Sequence, residues 1–123
     1  MAQFRPVVVL AGPTHQDGRD QLEREVDVIL CEEETEEAFV KVASGAHGIL
    51  FRTKPPASDS LMAACPNLKV IGRHGVGLDT VDIPAATRRG IAVVHAPGSN
   101  SQAVAEHALM LMLTCVKRTF AID

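Results

Sequence analysis

The chain has 123 residues, about the size of one domain, and 46% of them are hydrophobic although tryptophan and tyrosine are absent, so the core must be largely aliphatic. The net charge of −3 argues against nucleic acid as a partner, and three widely spaced cysteines argue against a disulfide framework or a zinc site. Because Met1–Pro6 lacks a signal-peptide pattern and no apolar run is long enough to span a bilayer, we predict a soluble cytoplasmic protein without a membrane partner.

Short β-rich runs alternate along the chain with segments of helical pattern. We predict strands at residues 6–11, 26–31, 48–52, 68–72 and 91–95, and helices at residues 16–25, 35–44, 58–64, 83–89 and 101–120. Ser58 is a candidate N-cap, and Ser99 with Gln102 has the spacing of a capping box. The strands are continuous apolar runs, which are typical of a parallel sheet covered on both faces. Right-handed crossovers then predict a doubly wound, flavodoxin-like α/β fold with strand order 2-1-3-4-5.

Residues 1–100 are predicted to form this domain, and residues 101–123 a long helix that continues it. Apolar side chains occupy every face of this helix, which is typical of a helix buried all round. A single sheet would cover one side, so we expect the other side to pack against a second copy of the chain or against another domain. The absence of a capping glycine before Asp123 suggests that the sequence stops partway through a longer protein.

The loops that follow the strands meet at one edge of such a sheet, where α/β folds bind their ligands. Gly75–Gly77 follows the fourth strand, and its glycines would let backbone N–H groups approach a carboxylate, with Arg52 or Arg73 adding charge-assisted hydrogen bonds. The motif is not a dinucleotide fingerprint, because Thr80 stands at the third glycine position and Pro84 interrupts any following helix. From spacing alone, a plain tight turn is equally consistent with it.

Charge is uneven along the chain. Residues 1–50 hold four lysines and arginines against ten acidic residues, a net charge of −6, whereas residues 51–123 hold eight against five, a net charge of +3. The second part is thus favoured for a small anion, although solvated faces of opposite sign explain the pattern equally well. His74 and His95 lie near the predicted rim, but neither has a placed carboxylate partner, so neither is assigned as a general base.

Three spaced segments carry a family resemblance: residues 67–79 (NLKVIGRHGVGLD), 84–100 (PAATRRGIAVVHAPGSN) and 104–107 (VAEH). Together they resemble the D-isomer specific 2-hydroxyacid dehydrogenase family, and most closely its phosphoglycerate dehydrogenase-type members. The first 66 residues match less distinctly, through the order of strands and helices and through Phe51-Arg52-Thr53.

The resemblance implies oxidation or reduction of a 2-hydroxy acid/2-oxo acid pair with NAD or NADP, in a cleft between a flavodoxin-like substrate domain and a Rossmann cofactor domain. It implies that the glycine loop binds the substrate carboxylate, and that the start of the last helix lies near the cofactor. The implied substrate-binding residues are Arg52, Thr53, His74, Gly75, Val76 and Gly77, and the implied cofactor-binding residues are Ser99 and Asn100. His74 and His95 stand where smaller or amide residues are common in the family.

The family's cofactor fingerprint and its catalytic arginine, glutamate and histidine lie downstream of the last helix, so no catalytic residue is assigned. We therefore expect a fragment that orients the acid substrate of an NAD-dependent dehydrogenase, is inactive alone, binds no NAD or NADP by itself, and forms homo-oligomers or meets the cofactor domain through residues 101–120. The alternative is a stand-alone flavodoxin-like module that dimerises through its last helix. A receiver domain or flavin carrier is disfavoured by Gly12-Pro13-Thr14 after the first strand and Phe51-Arg52 after the third.

Overall fold

The computed structural model describes residues 4–119, in which strands and helices alternate. The strands are β1 (Val7–Ala11), β2 (Asp27–Cys31), β3 (Gly48–Phe51), β4 (Val70–Arg73) and β5 (Ala92–Val94). The helices are α1 (Gln16–Glu23), α2 (Glu36–Ala43), α3 (Asp59–Ala64), α4 (Ile83–Arg88) and α5 (Ser101–Lys117). All strand pairs are parallel and the sheet order is β2-β1-β3-β4-β5, which confirms the predicted α/β fold.

The helix starts test the predicted caps. Ser58 is the N-cap of α3, and its hydroxyl accepts a hydrogen bond from the Leu61 N–H at 3.1 Å, as predicted. The prediction of a capping box at α5 is wrong. Asn100 is the N-cap and makes no side-chain cap hydrogen bond, and the Gln102 side chain donates to Glu106 instead. The predicted end of α5 at residue 120 lies outside the described residues.

The core lies where the central strands meet three helices. Val9, Ile49 and Ile71 lie side by side on β1, β3 and β4, and all are almost completely buried. The helices α2, α3 and α4 pack on this row with Phe39, Ala43, Leu61, Met62, Ala85 and Ala86. Apart from Phe39, Phe51, Met62 and Cys65 the largest fully buried side chains are aliphatic, which agrees with the largely aliphatic core that the composition predicts.

The prediction that helices cover both faces of the sheet is wrong at its edges. Ile29 and Leu30 of β2 are 40% and 39% exposed, and Val94 of β5 is 54% exposed. At the β2 edge the physical reason is that α1, which packs beside β2, is polar and has no buried residue. An apolar strand therefore predicts membership in a parallel sheet more securely than it predicts a helical cover.

The helix α5 extends away from the core. None of its residues is buried, which contradicts the prediction that the sheet covers one of its sides. Its apolar side chains are therefore open to solvent on all faces. None of the helices within residues 4–119 combines the length and apolar character that crossing a lipid bilayer requires.

A salt bridge ties α3 to the end of α4. The Asp59 carboxylate accepts a hydrogen bond from Arg89 Nε at 2.9 Å, and Arg88 Nη2 lies 3.6 Å from the same oxygen. The hydrogen bond and charge of Arg89, with a smaller contribution from Arg88, lower the pKa of Asp59 below its ordinary value of 3.8, although partial desolvation opposes them.

We expect Asp59→Asn to lower the free energy of unfolding at neutral pH. Because the folded-state pKa of Asp59 is depressed, its contribution is fully present above pH 3.8 and is lost as the pH falls through the lower folded value. Urea unfolding of both proteins at a series of pH values should show their difference shrinking in that acidic window. Glu25→Gln, which removes a carboxylate with no side-chain partner among residues 4–119, is the control and should show no such window; a difference for Asp59→Asn that persists in acid would contradict the ion-pair explanation.

Candidate functional site

The carboxyl ends of four strands form one line across the sheet. The register pairs Ala11 of β1 with Cys31 on one side and Phe51 on the other, and pairs Phe51 with Arg73 of β4. The residues that follow these strands must therefore lie at the same edge, as the doubly wound topology requires.

A cleft of about 840 Å³ opens at this edge. The loops after β1, β2, β3 and β4 line it, together with the N-cap residue of α5. The lining residues are Ala11, Gly12, Pro13, Cys31, Glu32, Glu33, Glu34, Arg52, Thr53, Lys54, Arg73, His74, Gly75, Val76, Gly77, Asp79 and Asn100.

Backbone hydrogen bonds hold the loops after β3 and β4 together. The His74 N–H donates to the Phe51 carbonyl at 2.8 Å, which continues the strand pairing by one residue. Further along, the Ala57 N–H donates to the Thr80 carbonyl at 2.8 Å, and the Asp82 N–H donates to the Ala57 carbonyl at 2.9 Å. The loop after β3, which carries Arg52 and Lys54, and the loop after β4, which carries Gly75–Gly77, are thus hydrogen-bonded to each other at both ends.

Gly75 is the residue of the glycine loop that only glycine can occupy without strain. Its φ is +152°, which side-chain-bearing residues rarely adopt. A Cβ atom at this position would lie 2.4 Å from Arg73 Nη1, so the guanidinium packs directly on the glycine. The same guanidinium donates to the His74 carbonyl, whereas Arg73 Nε is buried without a hydrogen-bond partner among residues 4–119.

The three N–H groups of the glycine loop differ in their availability. The Gly75 N–H donates to the Arg73 carbonyl at 2.8 Å and is therefore occupied. The N–H groups of Val76 and Gly77 make no hydrogen bond with any residue in the described part of the chain, and both residues line the cleft. Two adjacent backbone donors thus remain free at the rim.

The cleft has walls of opposite charge. Arg52, Lys54 and Arg73 lie on the side of β3 and β4 together with the acidic Asp79, whereas Glu32–Glu34 lie on the side of β2. Lys54 forms an ion pair with Glu34 at 3.2 Å, so its charge is partly neutralised, but Arg52 is exposed and has no ion pair within residues 4–119. The cation best placed to attract a solvent-borne anion is therefore Arg52.

The structure brings together most of the residues that the sequence singled out. Arg52, Thr53, Asn100 and the segment 74–77 line the cleft, whereas Ser99 does not. The acidic wall is absent from the sequence prediction, which named no candidate residue in the loop after β2. The signal was available, because Glu32–Glu34 directly follow an apolar parallel strand whose end must lie at the same edge.

Other reactive side chains lie apart from the cleft or alone. In the range 4–119, no group of three histidine, cysteine or acidic side chains is arranged to hold a metal ion. Cys65 is buried, and its burial raises the pKa of the thiol, which makes it a weaker nucleophile. The chemistry of the site therefore rests on backbone donors and guanidinium groups.

Two curated D-3-phosphoglycerate dehydrogenases are similar in sequence to nearly the whole of this chain. The chain is 36% identical to the D-3-phosphoglycerate dehydrogenase of Archaeoglobus fulgidus over 112 residues, which are 90% of this chain and 21% of that protein. It is 36% identical to the D-3-phosphoglycerate dehydrogenase of Mycobacterium tuberculosis over 118 residues, which are 96% of this chain and 22% of that protein. The chain thus spans about a fifth of the length of these relatives.

Solved structures share the fold. The TT0316 protein of Thermus thermophilus has a TM-score of 0.81 at 30% identity, covering 93% of this chain and 38% of that one. The NAD⁺-bound 3-phosphoglycerate dehydrogenase of Entamoeba histolytica has a TM-score of 0.79 at 25% identity, covering 98% and 42%. The NADPH-dependent glyoxylate/hydroxypyruvate reductase of Sinorhizobium meliloti, solved with NADP and malonate, has a TM-score of 0.77 at 28% identity, covering 90% and 34%.

A sequence model of one family decides the assignment. The model described as the catalytic domain of D-isomer specific 2-hydroxyacid dehydrogenases matches residues 7–119, which include all the strands and helices found within residues 4–119 and the whole glycine loop. The chain belongs to the D-isomer specific 2-hydroxyacid dehydrogenase family.

Proposed function

We propose that this chain is the substrate-binding part of an NAD- or NADP-dependent D-2-hydroxyacid dehydrogenase, and that its cleft orients the carboxylate of a small 2-hydroxy or 2-oxo acid. Residues 1–100 form the substrate domain, and the helix that follows connects it to a cofactor domain. Arg52, Thr53 and the segment 74–77 bind the acid, whereas Asn100 lies toward the cofactor.

The observation that carries this proposal is the pair of free N–H groups on Val76 and Gly77 beside the guanidinium of Arg73. Two adjacent backbone donors match the two oxygens of a carboxylate, and such donors are stronger when the acceptor is charged. Arg52 adds an exposed positive charge that attracts the acid.

The glycine loop lacks the geometry of a dinucleotide fingerprint. Gly77 is followed by a turn, and α4 begins only at Ile83 with a proline in its first turn, so the glycine loop does not open directly into a long helix whose N-terminus could bind a pyrophosphate. We therefore assign no hydride-transfer step to these residues. The 123 residues alone are expected to oxidise no NADH with glyoxylate, hydroxypyruvate or pyruvate; measurable turnover would contradict this.

Titration of the ¹⁵N-labelled chain with oxalate, a stable dicarboxylate of 2-oxo acid size, tests the binding role. We expect saturable shifts of the Val76 and Gly77 amide signals, with affinity in the millimolar range because half of the cleft is supplied by other residues in a complete enzyme. Arg52→Gln should weaken binding about fivefold, roughly 1 kcal/mol, as expected for an exposed charge.

Two controls make this titration specific. Oxamide has the shape of oxalate without its charge and should cause no shifts at the glycine loop. Lys41→Gln removes an exposed cation that does not line the cleft and should leave the affinity unchanged. If oxalate leaves the Val76 and Gly77 signals in place, or if Lys41→Gln weakens binding as much as Arg52→Gln, the cleft is not the carboxylate site.

The uncovered helix α5 favours a second role for the same chain, as a module that self-associates. Its large apolar side chains are exposed on all faces, and such surfaces on proteins mark interfaces. In the complete dehydrogenase the same helix would serve both contacts, one with a second copy and one with the cofactor domain.

A further inference from the structure

The two residues that directly follow β5 form hydrogen bonds with two successive carbonyl groups of the glycine loop. The Ala96 N–H donates to the Gly75 carbonyl at 3.0 Å, and His95 Nδ1 lies 2.8 Å from the Val76 carbonyl oxygen. A carbonyl oxygen can only accept, so the His95 ring carries its hydrogen on Nδ1 in this contact. One of the two hydrogen bonds comes from backbone, which any residue provides, and the other from a side chain particular to this sequence.

These two hydrogen bonds set the direction of the free donors. A peptide unit is planar and trans, so its N–H points opposite to its C=O. Because the Gly75 and Val76 carbonyls both face the end of β5, the N–H groups of Val76 and Gly77 face away from it. Those are the same two N–H groups that have no acceptor within residues 4–119 and whose residues line the cleft.

We propose that His95 is a positioning residue, which turns the Val76–Gly77 peptide so that the Gly77 N–H faces the carboxylate. The proposal rests on the carboxylate-binding function given above. His95 itself does not line the cleft and is half-buried beside the loop, so it acts through the peptide and does not touch the acid. Gly77 has no side chain to limit rotation of this peptide, which is why a side-chain hydrogen bond is needed to fix it.

The asparagine and alanine variants of His95 test this role. The amide nitrogen of asparagine lies one bond beyond Cγ, as does Nδ1 of histidine, so His95→Asn can keep the hydrogen bond whereas His95→Ala cannot. We expect His95→Ala to weaken oxalate binding about tenfold and His95→Asn to restore it to within about twofold of the native chain, because one charge-assisted hydrogen bond is worth about 1.4 kcal/mol or more. His107→Ala, on the exposed helix α5, controls for loss of an imidazole and should bind normally.

A readout that needs no ligand separates this inference from the function it rests on. The ¹³C signal of the Val76 carbonyl should shift in His95→Ala and return in His95→Asn, whereas the Gly75 carbonyl, held by the Ala96 N–H, should stay in place in both. Oxalate binding by His95→Ala at native affinity, or an unchanged Val76 carbonyl signal, overturns the positioning role. Shifts of the Val76 carbonyl without any oxalate binding by the native chain would instead overturn the proposed function and leave the hydrogen bond established.

Discussion

Gly75→Ala is expected to abolish measurable oxalate binding by this chain. The new Cβ would lie 2.4 Å from Arg73 Nη1 and 3.0 Å from Arg73 Cζ, so the guanidinium must leave the glycine loop. The backbone must also abandon a φ of +152° or bear the strain of keeping it. Either response displaces the N–H groups of Val76 and Gly77, and the loss of even one charged hydrogen bond weakens binding about tenfold or more.

A folding defect must be distinguished from a defect of the site. We expect Gly75→Ala to lower the free energy of unfolding by about 1–3 kcal/mol, the usual cost of a residue held in a rare backbone conformation. Gly45→Ala is the matched control, because Gly45 has open space around its Cβ direction and no positive φ, and it should be neutral or slightly stabilising. A folded Gly75→Ala chain that binds oxalate at native affinity, judged by the same amide titration, would show that the glycine loop is a simple turn.

The strand order could be predicted because each strand and helix was recognisable from its own local pattern. Five apolar runs separated by helical segments allow few parallel arrangements, and right-handed crossovers reduce these to a small number of doubly wound orders that includes the observed one. The same reasoning placed Arg52 and the segment 74–77 at one edge, since every parallel strand ends there. Helix caps could also be predicted where one side chain acts alone, as Ser58 does at α3.

The features that sequence reasoning missed depend on distances between loops. Arg73 packs on Gly75, and Lys54 pairs with Glu34, because the sheet brings together segments that are far apart or sharply turned in the chain. The Gly75 N–H donates to the Arg73 carbonyl, so only two of the three N–H groups in the glycine loop remain free, and no sequence pattern predicts that turn. The N-cap of α5 is Asn100 instead of Ser99, which is likewise decided by backbone geometry, since both residue types are good N-caps.

The exposed side chains of α5 raise a problem of stability that sequence periodicity could not resolve. An isolated helix of this length is marginal in water, and most helices in proteins persist because one face packs against other residues. The most exposed large side chains of α5 are Leu109 at 60%, Met112 at 63%, Leu113 at 62% and Val116 at 78%, which follow one another at helical spacing along one stripe. Burial of that stripe against a second copy would supply the missing packing.

The double variant Leu109→Glu with Leu113→Lys is expected to be monomeric where the native chain self-associates. The new pair has the favourable order of charges four residues apart, so it preserves the helix and the net charge while removing two apolar side chains. Losing their burial should weaken association by about 3 kcal/mol, or roughly a hundredfold. Sedimentation equilibrium should give a mass near 13.1 kDa for the variant and a larger mass for the native chain.

The matched control places the same charge pair on another face of the same helix. Ala103→Glu with His107→Lys is also exposed, four residues apart and neutral in net charge, but lies off the stripe, so it should associate as the native chain does. If the native chain sediments as a monomer at high micromolar concentration, the stripe is not a contact between copies, and the cofactor domain becomes its expected cover. Equal association by all three proteins would instead show that copies meet through a surface other than α5.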